Sequence, residues 1–123
     1  MERVSNIHYK GIDIIYSDFS NLKSIEEITK VFEDGSEIIS NSPLKSVYAL
    51  TNFDNMFFNT KVMRVIQETL KINKPHIKNT AVIGITGLSK IMFDGIIRLS
   101  GRDLRLFDTM EEAKEFLYQK SNL

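Results

Sequence analysis

The stretch from Asn73 to Asp108, NKPHIKNTAVIGITGLSKIMFDGIIRLSGRDLRLFD, decides the fold class of this chain. Its apolar runs predict a strand over Ala81 to Ile85 and a helix over Leu88 to Ser100. Gly101 is well placed to end that helix, and Leu104 to Phe107 predicts a second strand. A strand, a covering helix and another strand in this order build a parallel sheet, so the segment indicates an α/β architecture.

The first half of the chain predicts an opening hairpin followed by two further helix and strand units. Strands are expected over Val4 to Tyr9, Ile12 to Ser17 and Ser46 to Thr51, with a turn at Lys10-Gly11 and a loop over Asn52 to Asn59. Ser24 and Glu27 have the spacing of a capping box, which starts the first helix, and Ser42-Pro43 stops it.

Asn59 or Thr60 can cap the second helix, which ends at Asn73-Lys74-Pro75. Thr109 and Glu112 form another capping box, which starts a last helix that runs through Tyr118. The predicted order is β-β-α-β-α-β-α-β-α over one domain of residues 1–123, a layer sandwich with a mixed, mostly parallel sheet flanked by helices.

Composition narrows the classes of function. The 123 residues contain no cysteine, which excludes disulfides, thiolate metal sites and cysteine nucleophiles. Sixteen basic and sixteen acidic residues cancel, so no overall field predicts nucleic acid as a partner. Residues 61–105 are nevertheless basic, and we read them as solvated helix faces or as a face for an anionic partner. The charged N-terminal segment and the absence of a long apolar run lead us to expect a cytoplasmic protein with no transmembrane segment.

The turn from Gly84 to Lys90 is the segment most similar to a catalytic or phosphate-binding loop. It lacks the glycine spacing of a P-loop and the third glycine of a dinucleotide fingerprint. Turn glycines followed by a helix cap at Thr86 explain these residues, and an anionic substrate bound at Thr86, Gly87 and Lys90 is the enzymatic alternative. No His, Asp and Glu cluster has metal-ligand spacing, so no metal or cofactor is expected.

The third helix and the loop before the second helix contain more large apolar side chains than one buried face needs. Lys90, Asp94 and Arg98 form a polar stripe on the third helix, while Met92, Phe93 and Ile97 are in excess. The loop adds a cluster of aromatic and sulfur-containing side chains, which are Phe53, Met56, Phe57 and Phe58. Three alternatives account for these side chains. They pack between neighbouring helices, they contact a protein partner or a second copy of the chain, or they line an apolar pocket between the second and third helices.

Five segments together resemble the SpoIIAA-like family of small bacterial STAS/SEC14-like domains. They are Asn73-Lys74-Pro75, AVIGITG at Ala81 to Gly87, LSKI at Leu88 to Ile91, RLSGR at Arg98 to Arg102, and LFDTMEEA at Leu106 to Ala113. The resemblance implies a non-enzymatic domain that acts in signalling through a protein partner. The SEC14-like similarity implies the alternative, a carrier or sensor of a lipid-like small molecule.

Some STAS relatives are switched by phosphorylation of a serine at the start of the second helix. In this chain the matching position falls on Lys61 in the simplest register and on Thr60 after a one-residue slip, so Thr60 is the candidate phosphorylation site. The remaining ligand or partner candidates surround it or lie on the third helix. The full set is Asn52, Phe57, Phe58, Asn59, Thr60, Thr86, Gly87, Lys90, Met92, Phe93 and Ile97.

Overall fold

A five-stranded sheet in the order β1-β2-β3-β4-β5 organises the chain, and the computed structural model describes residues 2–100 and 104–123. The strands are β1 (Val4–Tyr9), β2 (Ile12–Asp18), β3 (Val47–Asn52), β4 (Ile77–Ile83) and β5 (Leu104–Phe107). The helices are α1 (Ile25–Ser40), α2 (Thr60–Asn73), α3 (Gly87–Ser100) and α4 (Met110–Ser121), with a short 3₁₀ turn over Lys74–His76. The predicted order of strands and helices is confirmed.

The hairpin is the antiparallel part of an otherwise parallel sheet. β1 pairs with β2 from Val4 opposite Ser17 to Tyr9 opposite Ile12, and the other neighbouring strands pair in parallel. Lys10 and Gly11 both have positive φ angles, 47° and 86°, as a two-residue type I′ turn requires. This turn matches the twist of the two strands, which explains the tight connection.

The two faces of the sheet are covered unequally. Strands that follow one another in sequence also lie next to one another, and right-handed crossovers then place α1, α2 and α3 on the same face. The core on that face contains Ile28 of α1, Val62 of α2 and Phe93 of α3. The opposite core contains Ala113 and Leu117 of α4, so α4 alone among the described helices contributes buried residues to that core.

The predicted helix starts are confirmed by their hydrogen bonds. The Ser24 side chain accepts from the backbone N–H of Glu27 at 3.2 Å, and Thr109 accepts from Glu112 at 3.2 Å. Asn59, one of two predicted alternatives, caps α2 by accepting from Val62 N–H at 2.9 Å. The expected stop at Gly101 lies outside the described residues.

Some boundaries differ from the sequence prediction. β4 begins at Ile77, four residues before the predicted Ala81, because Asn79 and Thr80 are buried in the sheet despite their polarity. The strand ends at Ile83 because Gly84 turns the chain with a φ of 87°. β2 ends one residue later than predicted, β3 both begins and ends one residue later, and α4 continues to Ser121.

Candidate functional site

Three loops meet at the edge of the sheet where the parallel strands end. These loops are residues 19–24, 53–59 and 84–86, and we call the surface that they form with the first turns of α2 and α3 the carboxyl-edge surface. Backbone hydrogen bonds join the first two loops, from Asn21 N–H to Asp54 O at 3.0 Å and from Phe57 N–H to Leu22 O at 2.8 Å. Open parallel sheets bind ligands at this edge.

Two asparagines join the first two loops. Asn21 and Asn55 have φ angles of 64° and 56°, a left-handed conformation that asparagine tolerates better than most residues. The Asn55 side-chain amide donates to the Asn21 side-chain oxygen at 2.7 Å, and Lys23 Nζ donates to the Asn55 carbonyl at 2.6 Å. The sequence did not reveal this pairing, because it joins residues more than thirty positions apart.

The third loop lies directly against the second. A Cβ built on Gly84 would lie 2.3 Å from the backbone nitrogen of Asp54 and 2.9 Å from the carbonyl carbon of Phe53. No side chain other than hydrogen fits at this distance, so Gly84 permits the close approach of the two loops. The hydrogen bond from Phe53 N–H to Ile83 O at 2.9 Å holds them together.

Asn52 has a structural role at the end of β3. Its side-chain oxygen accepts from Asp54 N–H at 2.9 Å, and its amide donates to the Tyr16 hydroxyl at 3.2 Å. Burial raises the pKa of Tyr16, and the hydrogen bond from Asn52 acts in the opposite direction. Asn52 therefore shapes the loop, and it is half-buried.

The candidate residues around the start of α2 and α3 differ in their exposure. Thr60 is exposed at the first position of α2, directly after the capping Asn59. Phe57 is 39% exposed, whereas Phe58 is half-buried against the core. On α3, Thr86, Gly87 and Lys90 precede or begin the helix and are all exposed.

The apolar excess on α3 is distributed differently from what the sequence suggested. Phe93 is 1% exposed, and its ring centroid lies 6.0 Å from that of Phe53 inside the core. Met92 and Ile97 are half-buried. Among the α3 side chains that the structure describes, the large exposed apolar one is instead Ile91, at 70% exposure, which sequence reasoning missed.

A helical spacing signal could have identified Ile91. It lies three residues before Asp94 and seven before Arg98, on the same face as these two exposed charged residues. Phe57, Thr60, Lys90 and Ile91 are all exposed, and they lie in the loop after β3 or near the starts of α2 and α3, which follow the carboxyl ends of β3 and β4. Phe93 is buried and contributes to the core.

A small interior pocket lies between α1, α2 and the sheet. Its volume is about 60 Å³, and Phe19, Phe32, Leu70 and Asn73 are among the residues that line it. The Asn73 side-chain oxygen is buried and has no hydrogen-bond partner. The space suits about two water molecules and is far smaller than the several hundred Å³ of a typical ligand site.

The described residues bring together no group of three or more His, Asp or Glu side chains that could bind a metal ion. The two histidines are held separately: His8 lies 2.5 Å from the Asp13 carboxylate, and His76 lies 2.8 Å from the Ser42 carbonyl. Asp18 at the end of β2 accepts from Ser20 N–H at 2.9 Å, which stabilises the turn that follows this strand. None of the described helices is both long enough and apolar enough to cross a membrane.

Comparison with solved structures assigns the class of fold. The chain is similar to the crystal structure of an uncharacterised protein of the DUF3478 family with a SpoIIAA-like fold from Shewanella loihica PV-4. The TM-score is 0.72 at 10% sequence identity, over 93% of this chain and 91% of the other. No family model matches the chain, and neither does any curated protein. The chain thus has a SpoIIAA-like α/β fold, as the sequence predicted.

Proposed function

We propose that this chain is a non-enzymatic STAS-like domain that regulates or binds a protein partner through the carboxyl-edge surface. The observation that supports this function is the exposure of Phe57 and Ile91 on elements that begin at that edge. Each large apolar side chain that leaves water on binding contributes roughly 1.5–3 kcal/mol. Exposed aromatic and aliphatic residues bordered by charged ones are typical of protein interaction sites.

The loops beside these side chains are connected to one another. Hydrogen bonds of Phe57 to Leu22 and of Asn55 to Asn21 connect them, and Gly84 allows the third loop to pack closely. A binding surface that is already ordered loses less conformational entropy when its partner docks. Exposed Lys90 and Lys61 add positive charge beside the apolar residues, which favours a partner with acidic groups.

Phosphorylation of Thr60 is the proposed switch of this surface. The exposed hydroxyl lies at the N-terminus of α2, where the helix dipole favours a phosphate dianion. A phosphate there would neutralise the positive charge from Lys61 and would impair the docking of an acidic partner. Thr60→Glu should therefore weaken partner binding, whereas Thr60→Val should leave it intact.

The test is site-specific photocrosslinking in cells that express the protein. A photoreactive phenylalanine analogue at position 57 should give one adduct of defined mass, and its protein component is then identified by mass spectrometry. The matched control places the analogue at Ile72, which is 63% exposed and lies at the other end of α2. Equal adducts from both positions, or none from position 57, would refute the proposal.

Affinity measurements with the identified partner then test whether it binds at the carboxyl-edge surface or elsewhere on the molecule. Phe57→Asp and Ile91→Asp should weaken the complex by at least about tenfold, a loss of about 1.4 kcal/mol, while Ile72→Asp should not. Ile91 and Ile72 are mostly exposed, so their variants should unfold at nearly the same urea concentration as the wild type, and urea unfolding of Phe57→Asp checks that this variant is folded. Native mass spectrometry of the purified protein tests the alternative, since a lipid carrier would retain an apolar adduct.

A further inference from the structure

A groove runs along α1 on the side that faces the beginning of β1. Its lining on α1 extends from Glu26 to Ile38, and Val4 and Leu22 form part of its apolar floor. At 1.5 Å per residue this stretch of α1 is roughly 18 Å long, which corresponds to about three helical turns. Val4 is half-buried and Ile38 is 42% exposed, so apolar surface is accessible within the groove.

The position of the groove corresponds to a gap in the helix layer. The helices α1, α2 and α3 cover the face above the parallel strands, and β1 extends beyond them as an edge strand. Side chains alternate along a strand, so Asn6 and His8 point to the same face as Val4. Both are exposed, which shows that none of the described helices covers β1 there.

The rim of the groove is acidic. Its lining contains five carboxylates, which are Glu2, Glu26, Glu27, Asp34 and Glu37, and two bases, which are Arg3 and Lys30. Both bases are already engaged. Arg3 donates to the Ser20 carbonyl at 2.8 Å, and Lys30 lies 2.7 Å from Asp34. The exposed Glu26 and Glu37 carboxylates at the two ends of the groove are therefore poorly neutralised by the protein itself.

We propose that this groove docks a basic amphipathic helix of a partner protein, which lies beside α1 and extends the helix layer over β1. Apolar side chains of the partner would cover Val4 and Ile38, and its lysines or arginines would pair with Glu26 and Glu37. The axes of helices in such a layer lie about 8–10 Å apart. The acidic rim and the apolar floor together favour a basic amphipathic helix over an acidic helix or a purely hydrophobic helix. The proposal does not depend on the proposed function of the carboxyl-edge surface, although Leu22 belongs to both sites.

The probe for the test is a labelled helical peptide of about three turns with leucines on one face and lysines on the other. A control peptide has the same composition in an order that forms no apolar face. Fluorescence anisotropy measures the affinity, and amide chemical shifts locate the site. The amphipathic peptide should shift the resonances of α1 and of the first residues of β1. Its affinity should fall with added salt because the charges are solvent-exposed.

Matched variants separate a specific groove from general attraction to acidic residues. Glu26→Lys with Glu37→Lys should weaken the peptide at least about tenfold, and Ile38→Ser should weaken it several-fold. Glu68→Lys with Glu111→Lys changes the net charge equally on exposed positions of α2 and α4, and it should leave the affinity within about twofold. Equal loss in both double variants, equal binding of the control peptide, or shifts located on other helices would overturn the proposal.

Discussion

Replacement of Gly84 by alanine tests whether the carboxyl-edge surface depends on the close approach of two loops. The new methyl group would lie 2.3 Å from Asp54 N and 2.7 Å from Asp54 Cα. These are backbone atoms, so a change of side-chain rotamer cannot relieve the overlap. The φ of 87° adds a second penalty, because a Cβ is unfavourable in this region.

The two penalties can be estimated separately. A non-glycine residue in left-handed conformation costs roughly 1–2 kcal/mol. Overpacking of a well-packed site costs typically about 1–3 kcal/mol, and a clash with backbone belongs at the upper end of this range. Gly84→Ala should therefore lower the free energy of unfolding by about 2–5 kcal/mol. That loss is a large fraction of the stability of a domain of this size.

Urea unfolding followed by circular dichroism measures this loss, and two other glycines provide controls. Gly11 and Gly87 have φ angles of 86° and 59°, and an added Cβ would meet nothing within 4 Å at either. Gly11→Ala and Gly87→Ala should thus show the conformational penalty alone, about 1–2 kcal/mol each. If Gly84→Ala loses no more stability than these two variants, the inferred contact between the loops is wrong.

Three further changes follow from the same structure. Gly95 occupies an exposed position of α3, and a new Cβ there would have nothing within 4 Å. Gly95→Ala should therefore raise the urea midpoint and increase the free energy of unfolding by about 0.5–1 kcal/mol. An unchanged midpoint would contradict the helical conformation at this position. Ser24→Ala should lower the free energy of unfolding by about 1 kcal/mol, because α1 loses the hydrogen bond that caps it, and Thr109→Ala is the matched comparison on α4. An unchanged urea midpoint in both variants would contradict the capping hydrogen bonds. The hydrogen bond from Lys10 holds the pKa of Glu115 below its usual 4.5. The wild type should therefore be more stable than Glu115→Gln at pH 7, and this difference should disappear as the pH falls through the lowered pKa. A difference in stability that grows in acid would contradict this prediction.

Local rules account for what could be predicted about the fold. The capping boxes at Ser24 and Thr109 place their partners within one helical turn, so the sequence alone identifies both helix starts. The end of β4 depends on the φ of Gly84, which the predicted strand overran by two residues. The start of β4 was missed because Asn79 and Thr80 look like loop residues until their burial is known.

In the candidate site, too, the sequence predicted some features and left others to the tertiary structure. Helical periodicity alone indicated that α3 has excess apolar surface, since seven apolar side chains exceed one helical face. Which side chain stays exposed depends on how α3 is rotated against its neighbours. That rotation buries Phe93 beside Phe53 and leaves Ile91 in solvent.

The sequence by itself determined the order of strands and helices, their caps and the class of fold, because these depend on interactions between residues a few positions apart. Only the tertiary structure decided how the loops after β2, β3 and β4 meet. The contacts of Asn21 with Asn55 and of Gly84 with Asp54 join residues about thirty positions apart. Sequence periodicity does not predict such contacts, because they result from the packing of the whole sheet.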